Sequence, residues 1–337
     1  MNLVDALLSG DRRALARLIT QIENNRPEAR AALAALYPHT GRAYLLGVTG
    51  APGTGKSTLV NELAKARRRD GQTVAIVAVD PSSPFTGGAI LGDRIRMRDL
   101  SGDPGVFIRS MATRGSLGGQ ARATADVIVA LDVAGYQTII IETVGAGQAE
   151  VDIAQLAHTT LVVEAPGLGD DVQAIKAGIL EIADVLVVNK ADQPGTDSAV
   201  RALRGMLNLA HPVSRFPGAA GAAAHHRQPV GAGSPPPDPA APVEPVWQVP
   251  ICETVATEGK GIAELWSAIE RHREHQRASG ALAHWQRIRI EHQLEALIRD
   301  ELYARFVGAS GEQLGQAIQA ILNRTRDPYT VVEELLR

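Results

Sequence analysis

The sequence predicts a doubly wound α/β fold: a mostly parallel sheet with helices on both faces, a helical prefix and a helical C-terminal arm. Two observations carry this. Short apolar runs recur from Tyr44 onward and alternate with helical stretches. The runs are apolar on both faces, which marks strands buried between two layers of helix. Before and after this region the period changes to that of amphipathic helices.

Residues 1–43 read as a two-helix prefix. Leu15, Leu18, Ile19 and Ile22 fall at i, i+3, i+4 and i+7, one apolar face, with Asp11 placed to cap the start. Pro27 fits the first turn of a second helix that ends near Tyr37-Pro38. The α/β domain is expected over 44–275. Its strands are read at 44–49, 73–79, 137–142, 159–165, 184–190 and 247–252. Residues 211–245 interrupt it with a stretch dense in Pro, Ala and Gly, read as a surface loop in which His225-His226 is inert. Ile262, Leu265, Trp266 and Ile269 form a stripe on the helix that follows. Ile288, Leu294, Leu297, Ile298, Leu302 and Phe306 line a longer one. The arm, 276–337, carries an apolar face that needs a partner surface: it either folds back on the domain or pairs with a second copy of the chain, and the second copy is the preferred reading.

Composition narrows the function. The 337 residues are 45% hydrophobic and 21% charged, ordinary for a globular chain, with only 4% aromatics, so the core is aliphatic. A net charge of −3 gives no case for nucleic acid or an anionic membrane. Arg67-Arg68-Arg69 reads as a solvated helix end. The single cysteine, Cys252, excludes an intrachain disulfide and a Cys-x-x-Cys metal site. No basic leader precedes an apolar run and no stretch of ~20 apolar residues occurs, so a cytoplasmic protein without a membrane span is expected.

The strongest local signal is Gly50-Ala51-Pro52-Gly53-Thr54-Gly55-Lys56-Ser57, followed by Thr58, between a strand and a helix. It satisfies G-x-x-x-x-G-K-[ST], the P-loop. Its glycines let backbone N–H groups turn toward phosphate, and the helix presents its positive end. Lys56 is placed to reach the β- and γ-phosphates, and Ser57 to offer a hydroxyl to Mg²⁺. Asn189-Lys190-Ala191-Asp192 closes a later strand. There Asp192 can accept from the N1–H and exocyclic amine of guanine, while Lys190 lies along the base, which predicts GTP rather than ATP. Thr254-Val255-Ala256 follows the next strand and is expected to offer a backbone N–H to guanine O6.

Three acids end strands or sit near them. Asp80 opens Asp-Pro-Ser-Ser. Asp93 lies in the Gly-rich segment GGAILGDRIRM. Glu142 ends the apolar strand that opens IIIETVGAGQAE, where Asp-x-x-Gly is the commoner switch pattern. All three are expected at the carboxyl edge of the sheet, around Mg²⁺ with Ser57. Phosphoryl transfer asks for positioning and charge neutralisation, so Lys56, Asp93 and Glu142 are the catalytic candidates. Asp93 or Glu142 would orient the attacking water. Gln148 is nearby, with its role open.

These motifs, together with Ser110-Met-Ala-Thr-Arg-Gly and Glu142-Thr-Val-Gly-x-Gly-Gln, resemble the MeaB/ArgK family of SIMIBI-class P-loop GTPases over nearly the whole chain. The resemblance implies a homodimer joined through the C-terminal arm. It implies a partner, an adenosylcobalamin-dependent acyl-CoA mutase of the methylmalonyl-CoA type, and involvement with an adenosyltransferase. GTP binding and hydrolysis would gate cofactor delivery and protect the mutase, without the chain itself holding adenosylcobalamin tightly. Residues 164–176 would form a third switch. Ala146 and Ala149 stand where the family often has Val and Ser, and the 211–245 loop is longer than usual. Two other readings are a nickel-type metal-insertion GTPase, for which no Cys/His metal motif is present, and a kinase, for which no acceptor site is identifiable.

Overall fold

A computed structural model of the chain describes residues 2–80, 98–100, 102–112, 119–143, 154–167, 181–209 and 247–335. Asp93, Gln148, the 211–245 loop with its histidines, Ala146, Ala149 and most of the expected third switch lie outside the described residues. Among the described residues, seven parallel strands form one sheet in the order β3-β2-β4-β1-β5-β6-β7. They are β1 (Tyr44–Thr49), β2 (Val74–Asp80), β3 (Val106–Ala112), β4 (Thr138–Thr143), β5 (Thr159–Glu164), β6 (Val185–Asn189) and β7 (Ile251–Thr254). Every residue of β1, β4 and β6 is buried, which is why these strands carry unbroken aliphatic runs.

Edge strand β3 escapes the apolar-run reading. Arg109 and Ser110 interrupt it and are half-exposed, as an edge position permits. Its seven residues nonetheless pair with β2 along their full length.

The prefix has three helices rather than two: α1 (Leu3–Leu8), α2 (Arg12–Glu23) and α3 (Pro27–Leu36). The six residues of α1 are too few to display a period. Asp11 caps α2 by accepting from the N–H groups of Arg13 and Ala14, and Pro27 opens α3. Leu15, Leu18 and Ile19 pack into one cluster with Ala75, Val77, Ile139 and Ile141 of the sheet. Burying each contributes about 1.5–3 kcal/mol. Arg109 pairs with Glu23, and the Arg12 guanidinium donates to the carbonyls of Pro104 and Val106, so the prefix also grips β3.

The opposite face is covered by α4 (Lys56–Arg69) and α7 (Ile262–Ala278); α5 (Gly119–Val133) lies on the prefix side, and α6 (Thr196–Leu209) packs near β6 and β7. All four residues of the predicted α7 stripe, Ile262, Leu265, Trp266 and Ile269, are buried in a cluster with Leu59, Val60 and Leu63 of α4. The expected solvated helix end is corrected here. Arg67 stacks 3.7 Å from the Trp266 ring centroid and lies 2.5 Å from Glu270. Arg68 bonds Asp103 at 2.8 Å and donates to the Gln72 carbonyl. Long stems covering apolar surface explain why charge alone did not reveal these roles.

The chain divides into two compact units, 1–285 and 286–337. The second comprises most of α8 (Ala281–Leu322) and α9 (Pro328–Leu335). Along α8, Leu294, Ile298 and Leu302 are half or more exposed, flanked by the i,i+4 pairs Arg287–Glu291, Arg299–Glu295 and Arg305–Glu301. No helix among the described residues is long and apolar enough to cross a membrane.

Candidate nucleotide site

The site lies at the carboxyl edge of the sheet, where β1 passes into the loop 50–55 and then α4. Two glycines there have no substitute. Gly50 has φ +138°, and a Cβ on it would stand 2.1 Å from the Val163 carbonyl oxygen of β5. Gly55 has φ +89°, and a Cβ on it would stand 2.5 Å from Asn189 Nδ2. The loop is thus pressed against two neighbouring strand ends, and only glycine allows both the backbone angle and the approach.

Lys56, the first residue of α4, is buried, and its Nζ donates to the carbonyls of Gly50 at 2.8 Å and Ala51 at 2.9 Å. The ammonium therefore lies folded along the loop that its own helix follows. Thr54 closes the turn, its hydroxyl donating to the Ala51 carbonyl at 3.0 Å. Pro52 and Gly53 are exposed, and Thr58 is half-buried in the first turn of α4.

Ser57 and Glu142 meet. The Ser57 hydroxyl donates to Glu142 Oε1 at 2.6 Å, with Glu142 only 2% exposed. Glu142 is the fifth residue of β4, beside Val48 of β1 and Ala78 of β2 in register. Two hard oxygen donors thus share a dry position at the N-terminus of α4, a donor set that suits Mg²⁺. Asp80 ends β2 at the same edge, while its side chain lies outside the described residues.

Asn189 joins three segments. Its Nδ2 donates to the Thr54 carbonyl at 2.8 Å, and its Oδ1 accepts from the Thr254 hydroxyl and the Ala256 N–H, both at 3.1 Å. The phosphate loop, the β6 end and the β7 end are thereby held together by one buried amide. The Val255 N–H bonds the Lys260 carbonyl at 3.1 Å. So in 254–256 the N–H groups of Val255 and Ala256 both have protein partners. Lys190 adopts φ +58° and turns the chain sharply out of β6; Asp192 two residues on is exposed. Sequence reasoning missed two members of this edge, Thr49 and Thr143, whose hydroxyls bond at 2.8 Å with both residues fully buried. A threonine inside an apolar run gives no signal of its partner.

Comparison with known proteins agrees with this arrangement. Residues 15–311 match the family described as Methylmalonyl Co-A mutase-associated GTPase MeaB. A protein of Pyrococcus horikoshii named as a GTPase is 46% identical, with 99% of this chain and 96% of that one covered. GTPase ArgK of Escherichia coli is 32% identical, covering 98% of this chain and 93% of that one. Among solved structures, the crystal structure of an LAO/AO transport system kinase superposes with a TM-score of 0.69 at 26% identity, over 99% of this chain and 95% of that one. A match this long, over a sheet whose carboxyl edge gathers a phosphate loop, a paired serine and glutamate and an asparagine bridge, leaves one conclusion: the chain belongs to the MeaB family of methylmalonyl Co-A mutase-associated GTPases.

Proposed function

We propose that the protein binds and hydrolyses GTP with Mg²⁺ at this edge, and that the cycle gates adenosylcobalamin delivery to an acyl-CoA mutase of the methylmalonyl-CoA type. The observation that carries the nucleotide reading is the Asn189 bridge, which links a phosphate-binding loop to the segment ending in Asp192. The mutase reading rests on the family.

In this reading the backbone N–H groups of Gly50–Thr58, Pro52 excepted since it has none, face the phosphates, with the positive end of α4 behind them. Lys56 exchanges its two loop carbonyls for phosphate oxygens as a positioned charge. Ser57 and Glu142 would hold Mg²⁺, with Asp80 and Asp93 as the further acids assigned from sequence. Bound there, Mg²⁺ neutralises the charge that builds on the phosphate oxygens. Asp93 or Glu142 orients the attacking water. Lys190 flanks the guanine plane and Asp192 accepts from its N1–H and exocyclic amine. The segment Thr254-Val255-Ala256 offers a backbone N–H to guanine O6, while the Thr254 hydroxyl and the Ala256 N–H hold Asn189 in place. The partners are the mutase and an adenosyltransferase. A second copy of this chain would cover the exposed face of Leu294, Ile298 and Leu302.

The test is GTP turnover of the purified chain with and without a cognate mutase. The expected result is a slow intrinsic rate that rises on adding mutase. No stimulation by any adenosylcobalamin-dependent mutase of the source organism would overturn the gating role. A phosphotransferase reading is suggested by the similarity to the LAO/AO transport system kinase. Following the labelled γ-phosphate separates the two: release as inorganic phosphate supports hydrolysis, and transfer to an acceptor supports the kinase.

A further inference from the structure

Beta-strand β4 is gripped at its carboxyl end from both faces of the sheet. On the α4 face, Glu142 takes the Ser57 hydroxyl at 2.6 Å. On the opposite face, the next residue, Thr143, donates its hydroxyl to Thr49 Oγ1 at 2.8 Å. Alternation of side chains along a strand puts consecutive residues on opposite faces, so the two grips cannot substitute for one another. Thr49 is the last residue of β1 and immediately precedes Gly50. The Thr143–Thr49 bond therefore joins the strand end that carries Glu142 to the point where the phosphate loop begins.

The surroundings of this bond are apolar. Val79 of β2 stands beside Thr143 in register, and Val162 of β5 beside Thr49. The row across four strands thus reads Val, Thr, Thr, Val, and all four residues are buried, the two threonines completely. In such a row valine would fill the same volume and give the same backbone shape. A neutral hydroxyl pair adds little net stability, and replacing both partners by apolar groups of the same shape is nearly neutral. What the pair adds that valine cannot is direction: a 2.8 Å bond fixes the lateral register of the two strand ends.

We infer that Thr143 is a positioning residue for the metal site, setting Glu142 against the phosphate loop through its hydroxyl bond to Thr49. The inference rests on the reading of Glu142 as a Mg²⁺-side acid. Thr143 touches neither nucleotide nor metal. It acts by holding the backbone on which the Glu142 carboxylate is mounted, as outer partners of metal ligands do.

Three variants test it: Thr143→Val, Thr143→Ser and the double change Thr49→Val with Thr143→Val. Glu142→Ala serves as reference. Two readouts are taken: the Mg²⁺ concentration that half-maximally slows release of a fluorescent GDP analogue, and the Mg²⁺ dependence of GTP hydrolysis. Thr143→Val should raise the half-effective Mg²⁺ concentration about ten-fold while leaving analogue affinity in EDTA unchanged. Thr143→Ser, which keeps the hydroxyl, should return it to within about two-fold of the parent chain. The double variant leaves no orphaned buried hydroxyl, so it keeps the test open if Thr143→Val alone folds poorly; it should show the same Mg²⁺ shift. If the valine variants follow the parent Mg²⁺ curve while Glu142→Ala departs from it, the positioning inference fails and the Glu142 assignment stands. If Glu142→Ala also follows the parent curve, the metal assignment fails and the inference with it.

Discussion

At the carboxyl edge of the sheet, buried polar groups bond across loop starts: Ser57 to Glu142, Asn189 to Thr54 and Ala256, Thr143 to Thr49. At the amino edge, an equally buried set bonds strand starts to helices. The Tyr44 hydroxyl meets Thr159 at 2.5 Å, Thr159 meets His272 Nδ1 of α7 at 2.7 Å, and His272 Nε2 sits 3.4 Å from Asp184 Oδ1. Burial pushes the Tyr44 hydroxyl well above its ordinary pKa, so it stays a neutral partner. Asp132, near the end of α5, accepts from the N–H groups of Gly41, Arg42 and Ala43 and so ties the linker between the prefix and β1 to α5. The chemistry of the two edges is alike. They differ in what surrounds them: at one end the left-handed glycines Gly50 and Gly55 are pressed against neighbouring strand ends beside an exposed acid, whereas at the other Gly41, Gly71 and Gly135 have open space where a Cβ would stand and the buried polar groups lie in closed helix–strand contacts. The first edge is arranged for a ligand and the second for stability, in keeping with where ligands bind in open α/β sheets.

Variants at the two edges should therefore fail in opposite ways. The largest effect is expected from Lys56→Ala. It should lower GTP hydrolysis about 10²–10³-fold, with the free energy of unfolding within about 1 kcal/mol of the parent. Single-turnover kinetics and urea denaturation check the pair. Equal loss in both would erase the contrast. Next is Asp132→Ala, which strands three backbone N–H groups. It should cost about 3 kcal/mol of stability and leave the KM for GTP unchanged at temperatures where the chain is folded. A changed KM with intact stability would place Asp132 in the wrong class.

A smaller loss, about 2 kcal/mol, is expected from His272→Leu, which removes the partner of Thr159 beside a buried aspartate. Hydrogen exchange of the Tyr44 and Thr159 amides should accelerate, while that of the Lys56 amide should not. The smallest effect depends on pH. Burial raises the Asp126 carboxyl on α5 to about 6, against the pull of Arg122 and Arg30. Its folded-state pKa exceeds the unfolded one. The associated stability is therefore complete below the unfolded value and lost as pH rises through about 6. Asp126→Asn should accordingly stabilise the chain by about 1–2 kcal/mol at pH 8 and by nearly nothing at pH 4. A benefit that is the same at both pH values would show that the carboxyl does not titrate in this way.

Much of the carboxyl edge was legible in the sequence because its chemistry is local. Gly50 to Ser57 are contiguous, and Asn189 to Asp192 and Thr254 to Ala256 each follow a recognisable strand. The amino edge was not. Tyr44, Thr159 and His272 lie on three separate elements and Asp184 just before a fourth, and nothing in the spacing announces that the sheet order brings them together. The same limit hid Arg67 on Trp266 and Thr143 on Thr49, where identity of the partner depends on register rather than pattern. Strand β3 was missed for another reason: an edge strand can carry Arg109 and Ser110, which breaks the apolar run by which buried strands are found. Helix α1 was too short to show a period. Nor does the spacing of 254–256 announce that the Ala256 N–H bonds Asn189.

The claim that the carboxyl edge reads guanine is tested most directly through Asp192. Its carboxylate offers only acceptors, as the N1–H and exocyclic amine of guanine require. Asp192→Asn supplies an amide donor, which suits the C2 carbonyl of xanthine instead. Titration of fluorescent GTP and XTP analogues should show GTP affinity falling about 100-fold or more while XTP affinity rises, with the unfolding midpoint unchanged. Parent-like GTP affinity in this variant would contradict the account.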